Sequence, residues 1–251
     1  MSALRRFYID PPALDGDRVE LTAALAHRLA KVLRLRAAAE IALFDGSGAE
    51  ARVRLDELTD RRGVGIVIER YDAPAEPHVK LHLYQSITKG ERFEWLLEKG
   101  TEIGVARFVP IIAARAVVKT GGDGNRLDRW RRIAVEAAEQ CGRGAVPAVA
   151  APERFGEALA SAPGVLLFPY EEAGAVAPNI AHVLREEIDA VFALGEVSVF
   201  IGPEGGWEPA EVEAATLAGA RVVTLGERVL RSETAGLVAA TLALHALGEL
   251  G

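Results

Sequence analysis

Cysteine, methionine, histidine and aromatic residues are all scarce in this chain: one Cys, one Met, five His and 6% Phe, Trp and Tyr among 251 residues. A lone Cys141 allows no internal disulfide, so the fold must hold by packing, and a reducing cytoplasmic setting is expected. The histidines at 27, 78, 82, 182 and 245 are scattered, and His78 and His82 fall on strand-like sequence rather than at helical spacing, so no metal site is expected. Long apolar runs are missing too. The most apolar run, Ala235 to Leu244, is short of the ~20 residues a membrane helix needs. No apolar stretch follows the basic pair Arg5–Arg6, so neither a membrane partner nor a secretory leader is expected. The nucleotide fingerprints Gly-x-Gly-x-x-Gly and Gly-x-x-x-x-Gly-Lys-Ser/Thr are absent from the candidate loops, which disfavours nicotinamide and nucleoside-triphosphate chemistry.

What is present is enough apolar sequence, 50%, to build a core across two domains. The net charge of −7 is unevenly spread: residues 1–75 balance to 0, 76–150 to +3 and 151–251 to −10. The first 150 residues hold 24 of the 29 basic side chains, so any contact with nucleic-acid phosphates is expected there. Of the 29, 24 are Arg, the residue that forks around phosphates and stacks on bases.

Two periodicities divide the chain. Arg5–Ile9, Arg18–Leu21, Glu40–Phe44, Ala49–Leu55 and Val64–Arg70 read as short strands, with one helix over Ala23–Leu33 and a hairpin turn at Asp45-Gly-Ser-Gly48. Such spacing predicts a small β-barrel over residues 1–72. Asp72-Ala-Pro-Ala-Glu-Pro77 carries two prolines, which makes 73–77 a linker. From 78 to 251, strands at Val79–Ser86, Phe108–Ile112, Val165–Phe168, Val197–Ile201 and Val222–Leu225 alternate with helices at Glu91–Ile103, Leu127–Gln140, Ile180–Glu187, Pro209–Leu217 and Glu233–Leu247. Continuously apolar strands between helices predict an α/β domain with a parallel sheet covered on both faces. Ligands of such sheets sit beyond the carboxyl ends of the strands, so chemistry is expected after Phe168, Ile201 and Leu225.

Four segments there stand out. Gly202-Pro-Glu204-Gly205-Gly206-Trp207 joins a strand to a helix opened by Glu208-Pro209-Ala-Glu211, and its glycines let backbone approach a ligand. Leu225-Gly226-Glu-Arg-Val229-Leu230-Arg231-Ser232-Glu233-Thr234-Ala235 again opens a helix, with Ser232 a candidate N-cap. Lys89 to Gly104 gives a helix with Phe93, Leu96, Leu97 and Ile103 on one face and charges on the other. Asp128 to Arg143 brings four Arg and Trp130 together, suited to phosphate contact and base stacking, although Trp130 can equally be core.

Read in order, Ile201-Gly-Pro-Glu-Gly-Gly206, Leu225-Gly-x-x-x-Leu-Arg-x-Glu-Thr-Ala235, Lys99-x-Thr-Glu-x-Gly-Val105 and Glu139-Gln-x-x-Arg143 resemble the RsmE family. Arg6-Phe7, His27-x-x-x-Lys31-Val-Leu-Arg34 and Asp45-Gly-Ser-Gly48 are similar to the same family's N-terminal part, so the resemblance spans nearly the whole chain. It implies a PUA-like RNA-binding β-barrel followed by a SPOUT α/β domain with a deep trefoil knot, acting as a homodimer. It also implies S-adenosylmethionine as cofactor, and 16S ribosomal RNA or the small ribosomal subunit as the partner methylated at N3 of a uridine. The implied cofactor residues are Leu167 and Phe168 in the first loop, Ile201, Gly202, Pro203, Glu204, Gly205 and Gly206 in the second, and Leu225, Gly226, Val229, Leu230, Arg231, Thr234 and Ala235 in the third.

Methyl transfer to N3 needs the ring proton removed, so Glu233 or Glu204 is expected as base, with Arg231 stabilising the charge that develops on the uracil oxygens. With an acidic C-terminal third, RNA is expected to be gripped by Arg5, Arg6, Arg34, Arg129, Arg132 and Arg143. The competing expectation is a non-catalytic RNA-binding ribosome-assembly factor on the same fold.

Overall fold

The computed structural model describes residues 4–11, 13–73, 76–116, 125–174 and 177–251. It divides into two compact units, Met1–Glu76 with Ala138–Val146, and Pro77–Ala137 with Pro147–Gly251. The linker expected at 73–77 includes two positions, 74 and 75, outside the described residues. The segment Ala138–Val146, assigned above to the second domain, groups with the first.

The first unit is a curled five-stranded sheet in the order β1-β3-β4-β5-β2. The strands are β1 (Arg6–Tyr8), β2 (Arg18–Leu21), β3 (Glu40–Phe44), β4 (Ala49–Leu58) and β5 (Gly63–Asp72). β1 runs parallel to β3 and the other pairs are antiparallel. The Asp45–Gly48 turn joins β3 to β4, with the Ser47 amide donating to Asp45 Oδ1 at 2.9 Å. The single helix expected over Ala23–Leu33 is two pieces, α1 (Ala23–His27) and a π-helical turn over Arg28–Val32. Its inner face still buries Leu25, Ala26 and Leu29, so the wider turn redirects the helix without uncovering the core. Phe7, Val19, Ile41, Leu43, Val53 and Leu55 form that core on alternate strand positions.

The second unit is a parallel sheet in the order β12-β10-β11-β6-β7-β8, with β9 also paired to β7. Along the chain the elements are β6 (Lys80–Ser86), α2 (Arg92–Ile103), β7 (Arg107–Ile112), α3 (Arg126–Cys141), β8 (Ala148–Val149), β9 (Glu153–Arg154), α4 (Phe155–Ser161), β10 (Val165–Pro169), α5 (Ile180–Glu186), α6 (Ile188–Leu194), β11 (Glu196–Ile201), α7 (Pro209–Leu217), β12 (Arg221–Val223) and α8 (Ser232–Ala246). α4 and α6 were not foreseen in the sequence, whereas α5, of the same length, was. Tyr84, Phe168 and Phe200 are almost fully buried between the layers, with Tyr84 stacked on Phe200 at 4.4 Å. α7 starts with Pro209 at its first turn, and Glu208 and Glu211 cap each other's amides, as their spacing leads one to expect.

The strand order has a direct consequence for function. β12, β10, β11 and β6 are consecutive neighbours and all parallel, so their carboxyl ends, and the loops that leave them, lie side by side. The chain runs outward from β6 to β7 on one side and from β11 to β12 on the other, so the neighbours β6 and β11 flank the switch point where open parallel sheets take ligands.

Candidate functional site

Three of those loops enclose a cavity of about 440 Å³. Pro169, Tyr170 and Glu171 come from the end of β10, and Ile201 to Glu204 with Gly206 from the end of β11. Thr224 to Ser232 and Ala235 come from the stretch between β12 and α8, and Arg92 from the start of α2 closes one side. Every lining residue belongs to the second unit.

The loops are tied to one another by specific bonds. Trp207 is buried, stacks on Phe168 at 4.6 Å and directs its indole N–H at the Pro169 carbonyl, 3.4 Å away, so the second loop is fastened to the first. Gly206 turns back on Pro203 (N to O, 3.0 Å) at φ +71°, and a Cβ there would stand 2.5 Å from Glu171 Oε1. The positive φ favours glycine, whereas the Glu171 carboxylate ends a flexible exposed side chain that can swing aside. The third loop is fastened at its far end, where Ser232 donates to the Gly202 carbonyl at 2.6 Å and accepts from Gln85 Nε2 at 2.8 Å. Ser232 is therefore not the N-cap expected from the sequence. Arg231 occupies that place, and the Ser232 hydroxyl, on the first helical residue, joins loops instead of capping the helix.

The cavity wall mixes apolar surface from Ile201, Pro203, Leu225, Val229, Leu230 and Ala235 with Arg92, Arg228, Arg231, Glu171, Glu204 and Glu227. Arg92 is central to the charges. Its Nη1 pairs with Glu204 Oε1, and its Nε is 3.8 Å from Glu233 Oε1. Glu204 keeps 34% of its side chain exposed, whereas Glu233 keeps 8% and its Oε2 has no hydrogen-bond partner among the described residues. Beside the cavity, the Tyr170 hydroxyl donates to Glu172 Oε2 at 2.8 Å, a bond that raises the phenol's pKa above its ordinary value.

Of the cofactor residues named from the sequence, Ile201, Gly202, Pro203, Glu204, Gly206, Leu225, Gly226, Val229, Leu230, Arg231 and Ala235 line the cavity. Leu167 and Phe168 do not: both are fully buried in the sheet, and the next three residues take their place. Gly205 turns outward against Arg115, whose Nη1 donates to its carbonyl at 3.3 Å. Thr234 and Glu233 face an adjoining cavity. Tyr170, Glu227 and Arg228 lie within the loops expected to form the pocket, Leu167–Tyr170 and Leu225–Ala235, whereas Arg92, Glu171 and Thr224 were missed. Arg92 was legible in principle, because Lys89 to Arg92 leaves β6, the strand beside β11.

The six arginines named for RNA fall into two groups. Arg5, Arg34 and Arg132 are exposed, and Arg129 is exposed but bonded to Glu94 at 2.6 Å. Arg6 grips Glu50 through Nε at 2.9 Å and Nη2 at 2.6 Å, and also donates to the Arg143 carbonyl at 3.1 Å. Arg143 grips Glu76 at 2.9 Å through Nε. With side-chain exposures of 15% and 11%, these two hold the first unit together and present little to a phosphate. Trp130 is 2% exposed and packs on Phe93 at 4.4 Å, so it is core and not a stacking platform. Among the described residues no three His, Cys, Asp or Glu side chains are placed to hold a metal ion, and no helix is long and apolar enough to cross a membrane.

The family model of the RNA methyltransferase domain matches residues 75–244, which covers the whole cavity. The chain belongs to that family. Among its relatives is ribosomal RNA small subunit methyltransferase E of Synechocystis, 32% identical over 93% of this chain and 75% of that protein. The protein of the same name from Bacillus subtilis is 32% identical over 87% of this chain and 86% of its own. The crystal structure of ribosomal RNA small subunit methyltransferase E from Neisseria gonorrhoeae, bound to S-adenosyl methionine, superposes with a TM-score of 0.82 at 33% identity, covering 98% of each chain. Family members thus match this chain through both units, in sequence and in fold.

Proposed function

We propose that this protein uses S-adenosylmethionine to methylate N3 of one uridine in 16S ribosomal RNA, acting in the cytoplasm on the rRNA or on the small subunit. The observation that carries the reading is the three-loop cavity at the parallel-sheet switch point, with the buried Glu233 in the adjoining cavity, in a chain whose relatives are named as methyltransferases of small-subunit ribosomal RNA.

The residues present fit the cofactor. A cavity of about 440 Å³ lies within the range for small-molecule sites. Gly202, Gly206 and Gly226 expose backbone edges suited to an adenine, and Ile201, Leu225 and Leu230 supply apolar contact for its faces. Glu171, Glu204 and Glu227 offset Arg92, Arg228 and Arg231 on the wall, so the cavity lacks the net positive charge that a polyphosphate needs. When bound, the cofactor supplies an electrophilic methyl on a positively charged sulfur, which keeps the carbon–sulfur bonding electrons as the methyl leaves.

The chain's own residues do the rest. The Glu233 carboxylate accepts the N3 proton, leaving on N3 the electron pair that forms the new bond to carbon. Arg231 stands where the negative charge spreads onto the uracil oxygens and stabilises it. Arg92 holds Glu204 and lies 3.8 Å from Glu233, so Glu204 is committed to an ion pair and Glu233 is the better base of the two. Holding donor and acceptor in line supplies the remaining acceleration. Because N3 lies on the pairing edge, the target base must be unpaired or extruded.

Three finer features belong to the same proposal. The first unit, with its curled sheet and α1 between β2 and β3, serves as a PUA-like RNA-binding barrel, and Arg5 and Arg34 are its phosphate contacts. The C-terminal segment threads a loop to form a trefoil knot, with the cofactor cavity at the knot. The protein acts as a homodimer, in which the exposed Leu242 of α8 would be covered. Titration calorimetry tests the core of the reading. Wild-type protein should bind S-adenosylmethionine saturably, and Ala235→Phe, which fills the cavity, should abolish that binding while the circular dichroism stays native. Absence of saturable binding by the wild type would favour the non-catalytic RNA-binding alternative.

A further inference from the structure

Next to the cofactor cavity lies a second one, of about 700 Å³, which shares Arg92, Glu204 and Arg231 with the first and adds Trp95, Glu233 and Thr234. Three observations mark it as a built site. Trp95 is 46% exposed, whereas Trp130 and Trp207 are each 2% exposed, so one indole alone of the three offers its ring to solvent. Glu233 is 6% exposed and its Oε2 has no hydrogen-bond partner among the described residues, an arrangement that costs stability unless a ligand completes it. Arg92 and Arg231 stand on the cavity wall with that carboxylate, and Arg92 Nε is within 3.8 Å of it.

We propose that this second cavity is the subsite for the extruded uracil, with Trp95 as its stacking platform. Resting on the methyl-transfer reading, the inference adds a residue and a basis for selectivity. The lining offers two guanidinium donors, Arg92 and Arg231, and a carboxylate acceptor, Glu233. The pairing edge of uracil presents the complement: O4 accepts, N3–H donates and O2 accepts. Cytosine presents a donor, an acceptor and a second acceptor, which sets its N3 lone pair against the carboxylate and its amino group against a guanidinium. The terminal torsion of a glutamate is soft, so either oxygen of Glu233 can turn to meet the imide proton. The shared wall of Arg92, Glu204 and Arg231 places this base beside the cofactor cavity.

The test is steady-state transfer of labelled methyl from S-adenosylmethionine to small subunits from cells lacking the protein, with Trp95→Ala, Trp95→Phe and Trp95→Leu. Loss of base–aromatic stacking should lower kcat/KM for the RNA roughly 5- to 150-fold in Trp95→Ala, with the cofactor Kd unchanged. Trp95→Phe should recover most of the activity and Trp95→Leu should not, because a flat ring is required and not merely an apolar one. Unchanged kcat/KM in Trp95→Ala, or recovery by Leu as complete as by Phe, would overturn the subsite while leaving methyl transfer intact. Wild-type protein that transfers no methyl would overturn the underlying reading itself.

Discussion

Ser232 and Gly202 are 30 residues apart in sequence, yet the Ser232 hydroxyl donates to the Gly202 carbonyl at 2.6 Å. The same hydroxyl accepts from the buried Gln85 side chain at 2.8 Å, so one oxygen joins the ends of β6 and β11 to the start of α8. Replacing it by a methyl leaves the buried Gln85 amide with only long carbonyl contacts, at 3.3 and 3.5 Å. Ser232→Ala should cost about 1–3 kcal/mol of stability by denaturant titration, the penalty for a buried polar group deprived of its partner. It should also weaken cofactor binding, because the second and third loops lose their tie. An unchanged cofactor Kd would show that the loops are set by other contacts.

The two candidate bases are separated by their surroundings. Glu204 is a third exposed and paired with Arg92, whereas Glu233 is buried with one oxygen unpartnered. Glu233→Gln should lower kcat by roughly 10²–10⁴ with little change in cofactor Kd, the range for loss of a positioned base. Glu204→Gln should have the smaller effect and act mainly by releasing Arg92. Rapid-quench measurement of a single turnover checks the ranking, and a reversed order would transfer the role to Glu204.

Much of this site was legible in the sequence, for a physical reason. Parallel strands buried on both faces read as apolar runs, and turn chemistry marks where they stop, so β6, β10 and β11 fall within one residue of the bounds expected from the residues alone. Once strand ends are known, the parallel-sheet rule says where a ligand goes. Pairings between distant charges were not legible. Arg6 and Glu50 are 44 positions apart, Arg143 and Glu76 are 67 apart, and Arg92 and Glu204 are 112 apart. No local pattern reveals that two of these arginines are structural and that the third borders the site.

The arginine partition leads to a prediction about RNA. Arg5, Arg34 and Arg132 are exposed and suited to phosphates, so Arg5→Glu with Arg34→Glu should weaken binding of a 16S fragment and flatten the slope of log Kd against log salt. Arg6→Ala should instead lower the melting temperature, because it leaves the 3% exposed Glu50 with Tyr71 as its one remaining side-chain partner among the described residues. Filter binding across a salt series, run beside thermal melts, separates the two classes. Equal loss of RNA affinity at unchanged stability in both would refute the partition.

His82 makes stability depend on pH. It is 6% exposed, and burial pushes its pKa below the ordinary histidine value despite Glu196 Oε1 at 3.4 Å from Nε2. A depressed folded-state value means that the folded chain resists a proton which the unfolded chain takes up. The contribution is therefore absent above the unfolded value of about 6.5 and becomes destabilising as the pH falls below it. His82→Gln should lose less melting temperature than wild type between pH 7.5 and pH 5. An identical loss in the two proteins would show that His82 titrates as it does in the unfolded chain.

The central claim is a methyl group placed on a uracil nitrogen, and incorporation of labelled methyl into small-subunit RNA followed by reverse transcription across it tests that claim most directly. Label is expected on a single uridine, with a block to primer extension at that base, since a methyl on N3 occupies the pairing edge. Label on a ribose hydroxyl or on the C5 edge, with extension passing through, would contradict it.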